Sequence, residues 1–185
     1  MRRPIGILLL VIGLTGLAVQ ESVAEVEQVE LKVDGLTCPF CYYNLEKPLK
    51  KIPALKFIKS NHKEGLVRLS VKSGESLDVA SIQQAVSDTG FTLRSIRLTI
   101  VGTVGEWEGK PVLESRGTEQ RFLLYQEKEE QGDLSPGHLI GDPTLEKKLA
   151  AWRSNGTAIR VTGVVHEHQG LPPVLLIELA EEAKS

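Results

Sequence analysis

Cysteine is scarce in this chain, with two among 185 residues, and aromatic residues make up only 5%. Two thiols exclude a disulfide-rich scaffold, a four-cysteine zinc site and the ligand set of an iron–sulfur cluster within one chain. No charge sign dominates either. Lys and Arg number 22 against 24 Asp and Glu, a formal charge of −2 with a pI near 6.1. That balance excludes a strongly cationic nucleic-acid binder and an acidic disordered tail. There is no internal repeat, no low-complexity tract, no Ser-His-Asp arrangement, no phosphate-cradling glycine loop and no readable pair of catalytic carboxylates. No enzyme activity is expected.

What is present begins with an address. Arg2 and Arg3 precede an uncharged apolar stretch over residues 5–19, and Ser22-Val23-Ala24 offers small residues for a signal peptidase. This is the pattern of a signal peptide over residues 1–24, cleaved after Ala24. The stretch is shorter than the roughly 20 residues a membrane-spanning helix needs. Retention as a membrane anchor is the alternative. A periplasmic or otherwise extracytoplasmic location is expected, in an oxidising compartment that bears on both thiols.

Two units are expected after the leader. Lys and Arg outnumber acidic residues over 25–100, and the sign reverses over 101–185. Residues 25–100 read as strand, helix, strand, strand, helix, strand. Val29, Leu31 and Val33 alternate with polar residues, as do Val67, Leu69 and Val71, the period of half-buried strands. Tyr42, Leu45, Leu49 and Ile52 recur at helical spacing, with Pro48 predicting a kink or an early end near Lys47. Val79, Ile82 and Val86 mark a second helix, capped by Ser76 or Asp78 and stopped by Gly90. The fold class is therefore α+β, with a split βαββαβ, ferredoxin-like unit. Residues 101–185 carry short apolar runs, glycine turns and one short helix near 144–152. They predict a small mainly-β domain of barrel-like form.

Both cysteines lie in Gly35-Leu36-Thr37-Cys38-Pro39-Phe40-Cys41. Pro39 disfavours helix at Cys38 and suits the first helical position, so Cys38 caps the first helix and Cys41 lies in its first turn. Unpaired N–H groups and the helix dipole there stabilise thiolate over thiol. Thiolates at i and i+3 can converge on one ion. Two soft ligands favour Cu(I) or Hg(II), whereas Zn(II) needs two more.

The run from Val33 through Cys41, followed by Leu45-Glu46-Lys47 and by Ala85-Val86-Ser87-Asp88-Thr89-Gly90-Phe91, resembles the heavy-metal-associated domain. That family includes copper chaperones, modules of metal-pumping ATPases and mercury carriers. The resemblance covers residues 28–100. It implies that Cys38 and Cys41 bind a transition-metal ion, and that Leu36, Thr37 and Phe91 support the metal loop. The family usually carries Met where this chain has Leu36, and Pro48 replaces a good helix former. It also implies a partner that donates or accepts the ion, a transporter or a chaperone; no nucleic acid is expected.

Other readings compete. A Cys-x-x-Cys pair outside the cytoplasm can serve a thiol–disulfide oxidoreductase or close into a structural disulfide within an interaction module. His166 and His168, two residues apart at a strand end, form a candidate second metal site with His138, against the simpler reading of exposed polar residues. Lys47, Lys50, Lys51, Lys56, Lys59 and Lys63 make a basic sector, either a guide for an acidic partner or a solvated surface. Trp107 and Trp152 read as core or interface residues.

Overall fold

The computed structural model describes residues 25–61, 64–114, 118, 120–126 and 140–184. The signal segment over 1–24, His62, Lys63 and His138 lie outside the described residues.

The first six elements are β1 (Glu25–Asp34), α1 (Pro39–Leu49), β2 (Leu55–Asn61), β3 (Leu66–Val71), α2 (Val79–Ser87) and β4 (Thr92–Trp107). Their strands lie side by side in the order β2-β3-β1-β4, all antiparallel. Directly opposed residues share a face, so the register separates the two sides of this sheet. Val29 faces Leu69 and Leu98, and Leu31 faces Val67 and Ile96. All six are buried in one cluster with Tyr42, Leu45 and Leu49 of α1 and Ile82 and Val86 of α2. Both helices therefore cover this face.

The opposite face is a lattice of charge. Glu30, buried except for 8% of its surface, accepts from Arg68 Nε at 2.7 Å and from Arg97 Nη1 at 2.9 Å. Arg97 also donates to Glu178 at 2.7 Å, and Arg160 donates to Glu27 at 3.0 Å. These pairs reach across β4 and tie the first part of the chain to the second.

The remaining elements are β5 (Lys110–Glu114), β6 (Arg121–Tyr125), α3 (Pro143–Asn155), β7 (Ala158–His166) and β8 (Val174–Glu182). Continuing from β4, the order is β5-β6-β8-β7, and β7 returns to pair with β4. The result is a closed five-stranded barrel, antiparallel except where β6 runs parallel to β8. Leu149 and Trp152 of α3 are buried against it, and the Trp152 indole N–H donates to Glu182 at 3.1 Å.

β4 belongs to both halves. Its 16 residues pair with β1 up to Val101, with β7 from Arg97 to Thr103 and with β5 from Thr103 onward. The expected division after residue 100 thus falls inside a strand. One apolar cluster runs from Val26 and Leu31 through Leu113 and Phe122 to Val161 and Leu175. Shared sheet and shared core make the two halves one packed body.

Candidate metal centre

Asp34 ends β1, and Gly35 turns the chain with φ at +85°. The Thr37 N–H donates to the Gly35 carbonyl at 2.9 Å, closing a tight loop, while Leu36 is driven inward to 3% exposure. Phe91 stands against this turn. A Cβ placed on Gly35 would lie 3.3 Å from its ring. Leu36 and Phe91 therefore both touch the architecture of the loop, one beneath it and one beside it. Thr37 is exposed and contributes its backbone.

Cys38 is the N-cap of α1, in extended conformation, and Pro39 opens the helix. The Cys38 sulfur accepts from the Cys41 backbone N–H at 3.1 Å, and the Cys38 carbonyl accepts from the same N–H at 3.0 Å. The two Cα atoms are 5.2 Å apart, and the sulfurs are joined as a disulfide. Both cysteines are part-buried, and Cys41 packs on the edge of the main core. The pair is thus convergent, next to the positive end of a helix, and open to solvent on one side. As a disulfide it holds no ion. Two electrons and two protons convert it to the dithiol, whose deprotonated, thiolate form is the ligand.

α1 is held in place by Tyr42, Leu45 and Leu49. The Tyr42 hydroxyl donates to the Asn61 carbonyl of β2 at 2.9 Å, and burial raises its pKa. Pro48 precedes an early end: α1 stops at Leu49, short of Ile52 and two residues past Lys47. It falls in the last turn, and the chain leaves α1 after Leu49 through a Lys50 cap whose N–H donates to Glu46. The N–H that Pro48 lacks would have bonded the carbonyl of Asn44, an exposed residue where water can take its place.

Of the candidate second site His166, His168 and His138, only the first two lie among the described residues. His166 ends β7, and His168 follows it; both are exposed. They line one groove with Phe91, Arg94 and Ser87 of the first half. Among the described residues, no group of three or more His, Cys, Asp or Glu side chains gathers closely enough to hold an ion. Among the described residues, no third side chain of these types joins Cys38 and Cys41 in such a group.

Two residues here escaped the sequence reading. Phe40, between the cysteines, is 79% exposed, and Tyr43, one turn on, is 55% exposed. Their signal was available: both fall off the Tyr42-Leu45-Leu49 stripe, on the opposite side of a helix with 3.6 residues per turn.

No family model matches the chain. Over 97 residues, 51% of its length, it is 30% identical to Copper-transporting ATPase 1 of Rhizobium meliloti (strain 1021). The chain spans about a tenth of that protein, 11% of its length.

Proposed function

We propose that this chain is an exported carrier that captures and passes on a soft metal ion, with residues 25–100 forming a ferredoxin-like, heavy-metal-associated module. The observation that carries the reading is the convergence of Cys38 and Cys41 on the first turn of an anchored helix. Two thiolates with few neighbours suit an ion content with low coordination, Cu(I) or Hg(II), whereas Zn(II) would have to find two further ligands. Likeness to a copper-transporting ATPase favours copper. The β2-β3-β1-β4 order, with both helices on one face, supports the ferredoxin-like assignment.

Transfer then proceeds by ligand exchange. A partner's thiolates displace Cys38 and Cys41 one at a time, with no change in the ion's charge. The natural partner is a protein that donates or accepts the ion, such as a transporter. The barrel serves as a rigid base, because β4 is built into both halves. Its outer arginines, Arg97 and Arg160, are each held by glutamates.

The test is a Cu(I) competition titration of the reduced full chain against a chromophoric chelator. One ion per chain is expected, lost when Cys38 and Cys41 are both changed to Ser. Full retention of affinity in that variant would sink the proposal. A thiol–disulfide oxidoreductase is the second reading, favoured by the disulfide itself. Sustained catalysis of insulin reduction, with no Cu(I) binding, would establish it instead.

A further inference from the structure

Where β4 and β7 separate, a groove of about 550 Å³ opens that the thiol chemistry does not use. The β4–β7 ladder runs no further than the Arg97–Val164 pair. Beyond it β4 stays paired with β1 down to Thr92, while Val165 and His166 stay paired with β8. The two strands thus part, each held from behind. Phe91, Ile96, Val165, His166, Glu167 and His168 line the gap.

His166 ends β7 and His168 lies two residues on, a spacing at which side chains of an extended chain leave the same side. The backbone under both is fixed. His166 stands opposite Val174 of β8, and the His168 carbonyl accepts from the Leu171 N–H at 3.3 Å, in a turn where Gly170 takes φ of +79°. Among the described residues, neither imidazole is engaged by a hydrogen bond or an ion pair. Two charged side chains face the groove. Arg94 is taken by Asp34 at 2.5 Å, which leaves the Glu167 carboxylate as the uncompensated charge. Two nitrogen ligands beside a net negative charge suit a cation.

We propose that His166 and His168 form a second ion site, which takes a divalent transition-metal ion, Cu(II) above others, with water completing its coordination. Neutral imidazole is a ligand for divalent first-row metals, and Cu(II) heads their order of affinity. Tetragonal Cu(II) accepts two protein nitrogens and leaves its other positions to solvent. Among the described residues, no third His, Cys, Asp or Glu gathers with the pair, so the ion is exchangeable rather than caged. Phe91 lines this groove and also stands against the Gly35 turn of the thiol loop. The two sites therefore adjoin and divide copper by oxidation state. On the carrier reading, the thiols hold Cu(I) only when reduced. The imidazoles need no electrons and stay available while Cys38 and Cys41 are joined, so the second site does not rest on that reading.

The experiment titrates Cu(II) into the full chain with its disulfide intact, read by electron paramagnetic resonance and by competition with glycine. One Cu(II) per chain is expected, with an axial signal split by two imidazole nitrogens. Backbone amides at 92–96 and 164–168 should broaden. His166→Ala and His168→Ala should each weaken binding about tenfold or more, and together should abolish the two-nitrogen signal. Cys38→Ser/Cys41→Ser should leave it intact. Unchanged affinity in the double histidine variant, or broadening centred away from the groove, would overturn the proposal. So would one Cu(II) per two chains, which would make the ion a bridge between copies. If inorganic phosphate rather than Cu(II) perturbs the groove amides, the groove is an anion site and the proposal falls. Cu(I) uptake by the reduced chain is measured separately, and its absence would defeat the carrier reading alone.

Discussion

Cys38 caps the helix that carries Cys41, its sulfur accepting the Cys41 backbone N–H at 3.1 Å. On the proposed carrier reading, one side chain therefore has two separable tasks, capping the start of the helix and holding an ion. A serine hydroxyl performs the first as well as a thiol or better and the second poorly, since hard oxygen is a weak ligand for a soft ion. Under reducing conditions, Cys38→Ser should leave stability within about 0.5 kcal/mol of wild type, while Cys38→Ala should lose about 1 kcal/mol. Both should abolish tight Cu(I) binding. Urea denaturation with a Cu(I) competition assay on each variant checks the split. Wild-type affinity in Cys38→Ser would remove Cys38 from the ligand set.

Gly35 takes a left-handed φ of +85° beside the Phe91 ring. Alanine there meets two separate penalties. The backbone conformation costs a non-glycine residue about 1–2 kcal/mol, and the new methyl presses on the ring. Gly35→Ala should destabilise by more than about 1–2 kcal/mol, and adding Phe91→Ala should relieve the crowding but not the backbone strain. A double-mutant cycle in urea separates them. Additive losses would show that the ring does not feel position 35.

The order of the first six elements was legible because alternation at Val29-Leu31-Val33 and Val67-Leu69-Val71 and helical spacing at Val79-Ile82-Val86 are strong local signals. The cap was legible too, since Pro39 fixes where α1 starts. What local pattern could not show was where β4 ends. Gly102 and Gly105 read as turn signals, yet both lie inside the strand, where Gly105 leaves room for the Glu114 side chain. That is a contact between strands, invisible along the chain. Closure of the barrel by β4 and β7 joins residues about 60 apart, such as Arg97 and Val164, and the parallel β6–β8 pair is equally non-local. At the site, the cysteines announced themselves by spacing. Phe40 and Tyr43 needed only to be noticed as aromatic residues on the wrong side of their helix.

Asp78 is the N-cap of α2, and hydrogen bonds from the Ser81 side chain and backbone N–H hold its carboxyl below the ordinary carboxylate pKa. A depressed carboxylate stabilises the fold fully above its unfolded pKa of about 3.9 and loses that contribution as pH falls through the folded value. At pH 7, Asp78→Ala should cost about 1 kcal/mol. The difference from wild type should shrink at pH values well below the ordinary carboxylate range. Asp78→Asn keeps an oxygen acceptor and should show a smaller loss with a flatter pH dependence. Urea denaturation of the three proteins across pH gives the comparison. A pH-independent gap between wild type and Asp78→Asn would contradict the ionised cap.

Gly163 lies in β7 at a register shift against β8, and a Cβ there would overlap the Leu176 backbone carbonyl. Backbone cannot swing aside as a side chain can, so Gly163→Ala must push two strands of the barrel apart. Overpacking of this kind costs about 1–3 kcal/mol. Gly163 also pairs with Leu98 of β4, and Leu98 packs in the core that α1 and α2 cover. A strain placed in the barrel should therefore reach the thiol-bearing half. Gly163→Ala should lower the denaturation midpoint seen by Trp107 and Trp152 fluorescence, which reports on residues 101–185. It should lower by the same amount the midpoint of backbone amide signals at residues 29–33, and the two curves should coincide. A shift confined to the tryptophan signal would mean that β4 joins two independently folding units, despite the continuous sheet.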